Sequence, residues 1–127
     1  MDDFYRENIL DHYKNPRNAG HLEHPTTTAD GVNPLCGDEL SVELEIEGDT
    51  VQDVRFNGRG CAISQAAASI LTKEIEGKTV DELRRFQAPQ MLELLKIRLT
   101  ASRQKCGLLP FKILKTMIYS LDERKGR

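Results

Sequence analysis

Leu40-Ser41-Val42-Glu43-Leu44-Glu45-Ile46-Glu47-Gly48-Asp49-Thr50-Val51 is the stretch that decides the fold. Leu40, Val42, Leu44 and Ile46 alternate with a serine and glutamates, the period-two pattern of a strand with one buried and one wet face. Gly48-Asp49 makes a turn, and Val51, Val54 and Phe56 supply the apolar residues of a returning strand, so an antiparallel hairpin is predicted. Downstream the pattern changes to a helical one. Ser64 opens a helix that runs from Ala66 to Ile75, and Gly77 ends it. Thr79-Val80-Asp81-Glu82 has the form of a capping box for a short helix carrying Leu83 and Phe86. Pro89 marks the next break, residues 91–95 give one further helical turn or two, and residues 97–103 form an irregular return that brings Cys106 to the start of the last helix. That helix carries Leu109, Ile113, Met117 and Leu121 at spacing four, with Pro110 tolerable only in its first turn and a frayed charged tail over residues 122–127.

Upstream of the hairpin, Phe4, Ile9, Leu10 and Tyr13 share one face of a short helix, which Asn15-Pro16 stops. Residues 19–32 hold glycines, a proline, threonines and two histidines without periodicity, and read as an irregular lead into Cys36. The expected class is therefore α+β: a small antiparallel sheet of about three strands packed against several helices. With 127 residues there is room for one domain, 1–127, and not for a second independent core.

Composition excludes several functions. Charge is balanced, 18 Lys+Arg against 20 Asp+Glu, and no basic block offers the footprint of a nucleic-acid binder. No apolar run approaches the roughly 20 residues needed to span a bilayer, and Met1-Asp2-Asp3 lacks the basic and apolar regions of a signal peptide, so a cytoplasmic location is expected. Three cysteines cannot all pair within one chain, and in a reducing compartment they are read as ligands, nucleophiles or buried thiols.

Cys36 lies on a loop before a strand, and Cys61 and Cys106 at glycine-flanked helix entries, where the partial positive charge of a helix N-terminus favours the thiolate. Lys105 adds a full charge beside Cys106, and Asp38, two positions after Cys36, supplies a hard oxygen. Cys36, Asp38, Cys61 and Cys106 thus make a candidate tetrahedral set, although their separation is not that of a zinc finger and three core thiols would give the same sequence. His21 and His24 lie on a loop with no other ligands near, and His12 reads as a helix-surface residue. A thiol enzyme pairing Cys61 with a histidine lacks support, since all three histidines precede the cysteine motifs.

The motifs resemble those of the U-type iron–sulfur cluster assembly proteins, the family of IscU, SufU and the N-terminal part of NifU, over essentially the whole chain. Ile9-Leu10-Asp11-His12-Tyr13-Lys14-Asn15-Pro16-Arg17-Asn18, with Tyr5-Arg6 before it, resembles the family's opening segment. Asn33-Pro34-Leu35-Cys36-Gly37-Asp38, Gly58-Arg59-Gly60-Cys61-Ala62-Ile63-Ser64 and Arg103-Gln104-Lys105-Cys106 resemble its three cysteine motifs. The resemblance implies Cys36, Asp38, Cys61 and Cys106 as ligands of a transient [2Fe–2S] cluster or of zinc. It further implies a cysteine desulfurase as partner, with Cys36 and Cys106 as candidate sulfur acceptors, and apo-proteins that take the finished cluster. Lys105 stands where IscU-type scaffolds carry histidine, and Arg103 and Lys105 match the SufU pattern, whereas the short interval before Cys106 is closer to IscU. The alternatives are a zinc-dependent sulfurtransferase without scaffolding and a structural zinc domain that only binds proteins. Tyr5 is a candidate contact residue, and oligomeric state is left open.

Overall fold

The computed structural model describes residues 3–125, apart from the side chains of residues 3–5 and 125. Phe4 and Tyr5, placed above on a helix face and at a contact, therefore lie outside the described side chains, as residues 126–127 lie outside the described chain. Five helices and three strands follow in the order α1 (Asp3–Lys14), β1 (Thr27–Asn33), β2 (Asp38–Glu47), β3 (Thr50–Arg59), α2 (Ala62–Ile75), α3 (Val80–Arg85), α4 (Ala88–Leu95) and α5 (Ala101–Lys125). This is the expected α+β class.

The predicted hairpin is β2–β3, with Leu44 opposite Val54 and Val42 opposite Phe56, and all four of these side chains are buried. Alternation puts them on the face that α2 and α5 cover, and the two helices also pack on each other. The outer face is polar, and its Glu43 is buried under the chain at residues 21–22. The Leu22 N–H donates to Glu43 Oε1 at 2.7 Å and His21 Nδ1 pairs with Oε2 at 2.8 Å. Burial pushes the Glu43 carboxyl up, but the Leu22 N–H and the His21 ring outweigh it and leave it below its ordinary value of 4.5. A depressed carboxyl contributes stability that is present above the unfolded value and lost as pH falls through the folded one. Compared with Glu43→Gln, the wild-type chain should therefore show a stability advantage that shrinks below about pH 4.5 and is constant above it, as read by urea unfolding at a series of pH values. An advantage that grows on acidification would disprove the linkage.

The third strand, β1, corrects the irregular reading of residues 19–32. It pairs antiparallel with β2 from Thr27 opposite Leu44 to Asn33 opposite Asp38, and is one of the two edge strands of the sheet, ordered β1-β2-β3. Its Asp, Gly and Asn are poor strand formers, and partners outside the strand hold it in place. Gly31 has no Cβ because Ile113 of α5 presses against it: an added Cβ would lie 2.7 Å from Ile113 Cγ1.

Helix ends account for the rest. The predicted capping box is present at Thr79, whose hydroxyl accepts from the Glu82 N–H at 3.1 Å while Glu82 Oε1 accepts from the Thr79 N–H at 3.2 Å. Lys115 of α5 donates to the Leu83 and Arg84 carbonyls at the end of α3, at 2.9 and 2.8 Å, placing a cation where the helix dipole is negative. Pro89 does not break the chain but occupies the first turn of α4, where a missing N–H costs nothing. The last helix begins at Ala101, earlier than expected, because Thr100 Oγ1 accepts the Arg103 N–H. Pro110 consequently stands inside the helix and brings no N–H to the Cys106 carbonyl one turn before it. The helix also runs into the tail expected to fray, where Asp122 forms a two-pronged pair with Arg84 at 2.6 and 3.0 Å. His12 is not a plain surface residue either: its Nδ1 lies 2.8 Å from the buried Ser69 hydroxyl, which also accepts the Arg17 N–H.

Candidate metal centre

β1 ends at Asn33 and β2 begins at Asp38, so residues 34–37 are the loop of a second hairpin, tightened by the Cys36 N–H donating to the Asn33 carbonyl at 3.2 Å. Cys36 stands half-buried on this loop behind Leu35, which is 73% exposed. Pairing of Glu39 with Arg59 brings the end of β3 alongside, and with it Gly60 and Cys61. Gly60 has φ +153°, and a Cβ there would lie 2.3 Å from Asp38 Oδ1 and 2.9 Å from Ser64 Oγ. The absence of that carbon lets a fully buried carboxylate reach the N-terminus of α2. Asp38 Oδ1 accepts the Cys61 N–H at 2.8 Å, and Cys61 is the residue that caps α2.

Cys106 comes from α5, which packs against β1 and β2. Its Sγ lies 3.1 Å from Cys36 Sγ, and one ligand atom from each of Cys36, Asp38 and Cys106 lies within 4.8 Å of the others. Cys61 adjoins this trio, with its Sγ 3.9 Å from Asp38 Oδ2 and its thiol acting on Cys106. The four residues singled out in the sequence therefore converge, three in one cluster and Cys61 at its edge. Three sulfurs and a carboxylate oxygen from separate segments form a donor set suited to zinc or to iron in an iron–sulfur cluster.

Two sequence expectations fail here. Cys106 is not at a helix start but in the second turn of α5, with no solvent exposure. Burial, followed by the hydrogen bonds to Cys36 and Cys61, pushes its thiol above the ordinary range rather than toward thiolate. Metal uptake at this position would therefore have to displace a proton. Lys105 and Arg103 are exposed on α5. His21 and His24 stay outside the cluster, His21 being engaged with Glu43.

Asn33, the last residue of β1, adjoins the cluster without being one of the four candidate ligands. Its side chain is buried, and its amide nitrogen lies 3.4 Å from Asp38 Oδ2 and 3.5 Å from Cys106 Sγ. No spacing rule announces it, because its contact with Cys106 depends on α5 folding over the end of β1.

The family model for the NifU-like N terminal domain matches residues 4–127. The chain belongs to that family. Among its relatives, the zinc-dependent sulfurtransferase SufU of Bacillus subtilis is 46% identical over 81 residues, 64% of this chain and 54% of that protein. The iron–sulfur cluster assembly scaffold protein IscU 1 of Archaeoglobus fulgidus is 30% identical over 127 residues, covering 97% of this chain and 80% of its own length. The chain thus spans about half the length of the Bacillus relative it matches and most of the archaeal one. Two of the solved structures that share its fold serve as examples. One is a candidate scaffold protein for the SUF system from Fervidobacterium islandicum, with TM-score 0.77 and 30% identity, covering 88% of this chain and 94% of that one. The other is the N-terminal part of a NifU-like protein from Brucella abortus, with TM-score 0.77 and 26% identity, covering 97% of each chain. No helix among the described residues is long and apolar enough to cross a membrane.

Proposed function

We propose that this chain is an iron–sulfur cluster assembly protein. It takes sulfur from a cysteine desulfurase at Cys36 and carries it, as bound sulfur or nascent cluster, at a site made by Cys36, Asp38, Cys61 and Cys106. Apo-proteins are the final acceptors. The observation that carries this reading is the convergence of ligand atoms from Cys36, Asp38 and Cys106 within 4.8 Å, with Cys61 beside them. A bound metal would keep these sulfurs deprotonated.

The chain's residues define the transfer step. The Cys36 thiolate attacks the outer sulfur of a persulfide on the desulfurase; a sulfur–sulfur bond forms to Cys36, the donor's sulfur–sulfur bond breaks, and the donor cysteine leaves as thiolate. Exposure favours Cys36 over Cys106 as acceptor, since a buried sulfur cannot be approached along the line of the breaking bond. The carbonyl of Asn33 holds the Cys36 loop closed, and Leu35 offers an apolar contact next to the thiol. Asp38 supplies the one oxygen donor.

A second reading, a zinc-dependent sulfurtransferase that hands on sulfur without building a cluster, is favoured by the 46% identity with SufU and by Lys105. A protonated lysine has no lone pair for a metal, unlike the histidine of IscU-type scaffolds.

The test is metal analysis and a visible spectrum of protein purified without oxygen, then mass analysis after incubation with a cysteine desulfurase and cysteine. A sulfur-to-iron charge-transfer band with persulfide on Cys36 is the expected result. A colourless protein with about one zinc per chain and the same persulfide would select the second reading. Neither metal nor persulfide would refute both.

A further inference from the structure

Asn33 touches three of the four residues assigned to the site. Its carbonyl accepts the Cys36 N–H at 3.2 Å, and the two hydrogens of its amide serve Asp38 Oδ2 at 3.4 Å and Cys106 Sγ at 3.5 Å. The side chain is 7% exposed at the last residue of β1, directly opposite Asp38 in the sheet register, so it has little freedom to turn elsewhere.

The contacts divide the work among the ligands. Asp38 Oδ1 is committed to the Cys61 N–H, which leaves Oδ2 as the oxygen available to a metal, and Asn33 donates to that same oxygen. A donor on Oδ2 occupies one lone pair and directs the other. The carboxylate then offers a single, weakened bond. At Cys106 an N–H on the sulfur draws off thiolate charge and lowers its reactivity, while Cys36 receives no side-chain N–H from Asn33. No lysine or arginine among the described residues hydrogen-bonds to Cys36, Asp38, Cys61 or Cys106, so this amide is the side-chain N–H that reaches them.

We propose that Asn33 is a positioning residue: its amide holds Asp38 as a one-oxygen ligand and restrains the Cys106 sulfur, leaving Cys36 as the thiolate that exchanges. The assignment rests on the proposed metal site and goes beyond it by naming what sets the order of reactivity within it. Hydrogen-bond partners of metal ligands commonly change metal affinity by about 10–100-fold when removed, which sets the scale of the expected effect.

The experiment uses zinc and cobalt(II) as probes on the whole chain, comparing wild type with Asn33→Ala and Asn33→Asp. Asn33→Asp keeps the shape but lacks the N–H and adds a charge. Three quantities are read: zinc release to a chelator, the sulfur-to-cobalt charge-transfer band, and the rates at which Cys36 and Cys106 are alkylated. The expected result is zinc release about tenfold faster in Asn33→Ala and faster still in Asn33→Asp, a shifted charge-transfer band, and a Cys106 alkylation rate that rises toward that of Cys36. A purely structural asparagine would lower the melting temperature and leave band and alkylation order unchanged in the folded fraction, which would overturn the proposal. Should Asn33→Ala not fold, Asn33→Ser, which keeps one donor, is read by the same criteria. Wild-type protein that takes up neither zinc nor cobalt would refute the site and this proposal together. Loaded wild type with unaltered variants would refute the role of Asn33 alone.

Discussion

Cys36→Ser protein incubated with a cysteine desulfurase and cysteine should acquire persulfide more than about a hundredfold more slowly than wild type, because serine offers no thiolate at neutral pH. Position makes the effect this large. Cys36 is half-buried on a four-residue loop beside exposed Leu35, Cys106 is wholly buried in α5, and Cys61, also half-buried, is held at the N-cap of α2 with its sulfur turned to Asp38. Cys61→Ser and Cys106→Ser should instead act first on metal retention, lowering zinc or iron per chain, with persulfide still detectable on Cys36. Mass spectrometry of alkylated peptides distinguishes the cases. Persulfide found on Cys106 in the Cys36→Ser protein at the wild-type rate would make Cys106 the acceptor and end the argument from exposure.

Gly60→Ala should damage the fold and the metal centre together. The backbone there has φ +153°, and the new Cβ would sit 2.3 Å from Asp38 Oδ1, with the Asp38 Cα and Ser64 Oγ both at 2.9 Å. Strain and collision together are expected to cost about 2–4 kcal/mol, and the collision must push the carboxylate off the Cys61 N–H. For a chain of this size the melting temperature should fall by roughly 10 °C, and zinc binding should be lost in the folded fraction. Gly37→Ala is the control: φ is +70° but nothing lies within 4 Å of the added carbon, so a cost of about 1 kcal/mol with metal binding retained is expected. Equal effects of the two changes, measured by thermal unfolding and metal titration, would contradict the close approach at Gly60.

What the sequence disclosed follows from how local each signal is. The β2–β3 hairpin, the α2 helix and the Thr79 capping box each rest on residues within one element, and all are present. β1 was hidden because its strand character comes from β2 on one side and from Ile113 on the other, while its own Asp30, Gly31 and Asn33 read as loop. The start of α5 had a visible signal that went unused: Thr100 ahead of Ala101 is an N-cap, and it moves Cys106 and Pro110 into the helix. The candidate ligands could be named from the spacing of thiols and carboxylate and from the family resemblance. Asn33 and the raised Cys106 thiol could not, since both depend on burial and on contacts across the fold.

The 3.1 Å approach of Cys36 to Cys106 joins residues 70 positions apart, whereas the Asp38 to Cys61 bond spans 23. Contacts of long sequence separation form late, after the loop entropy they close has been offset by other structure. The contacts among Cys36, Asp38 and Cys61 need only residues 33–62, whereas bringing in Cys106 requires α5 to dock on β1 and β2. The last helix is thus the element whose docking turns an open pair of half-buried thiols into a site with a third, buried sulfur.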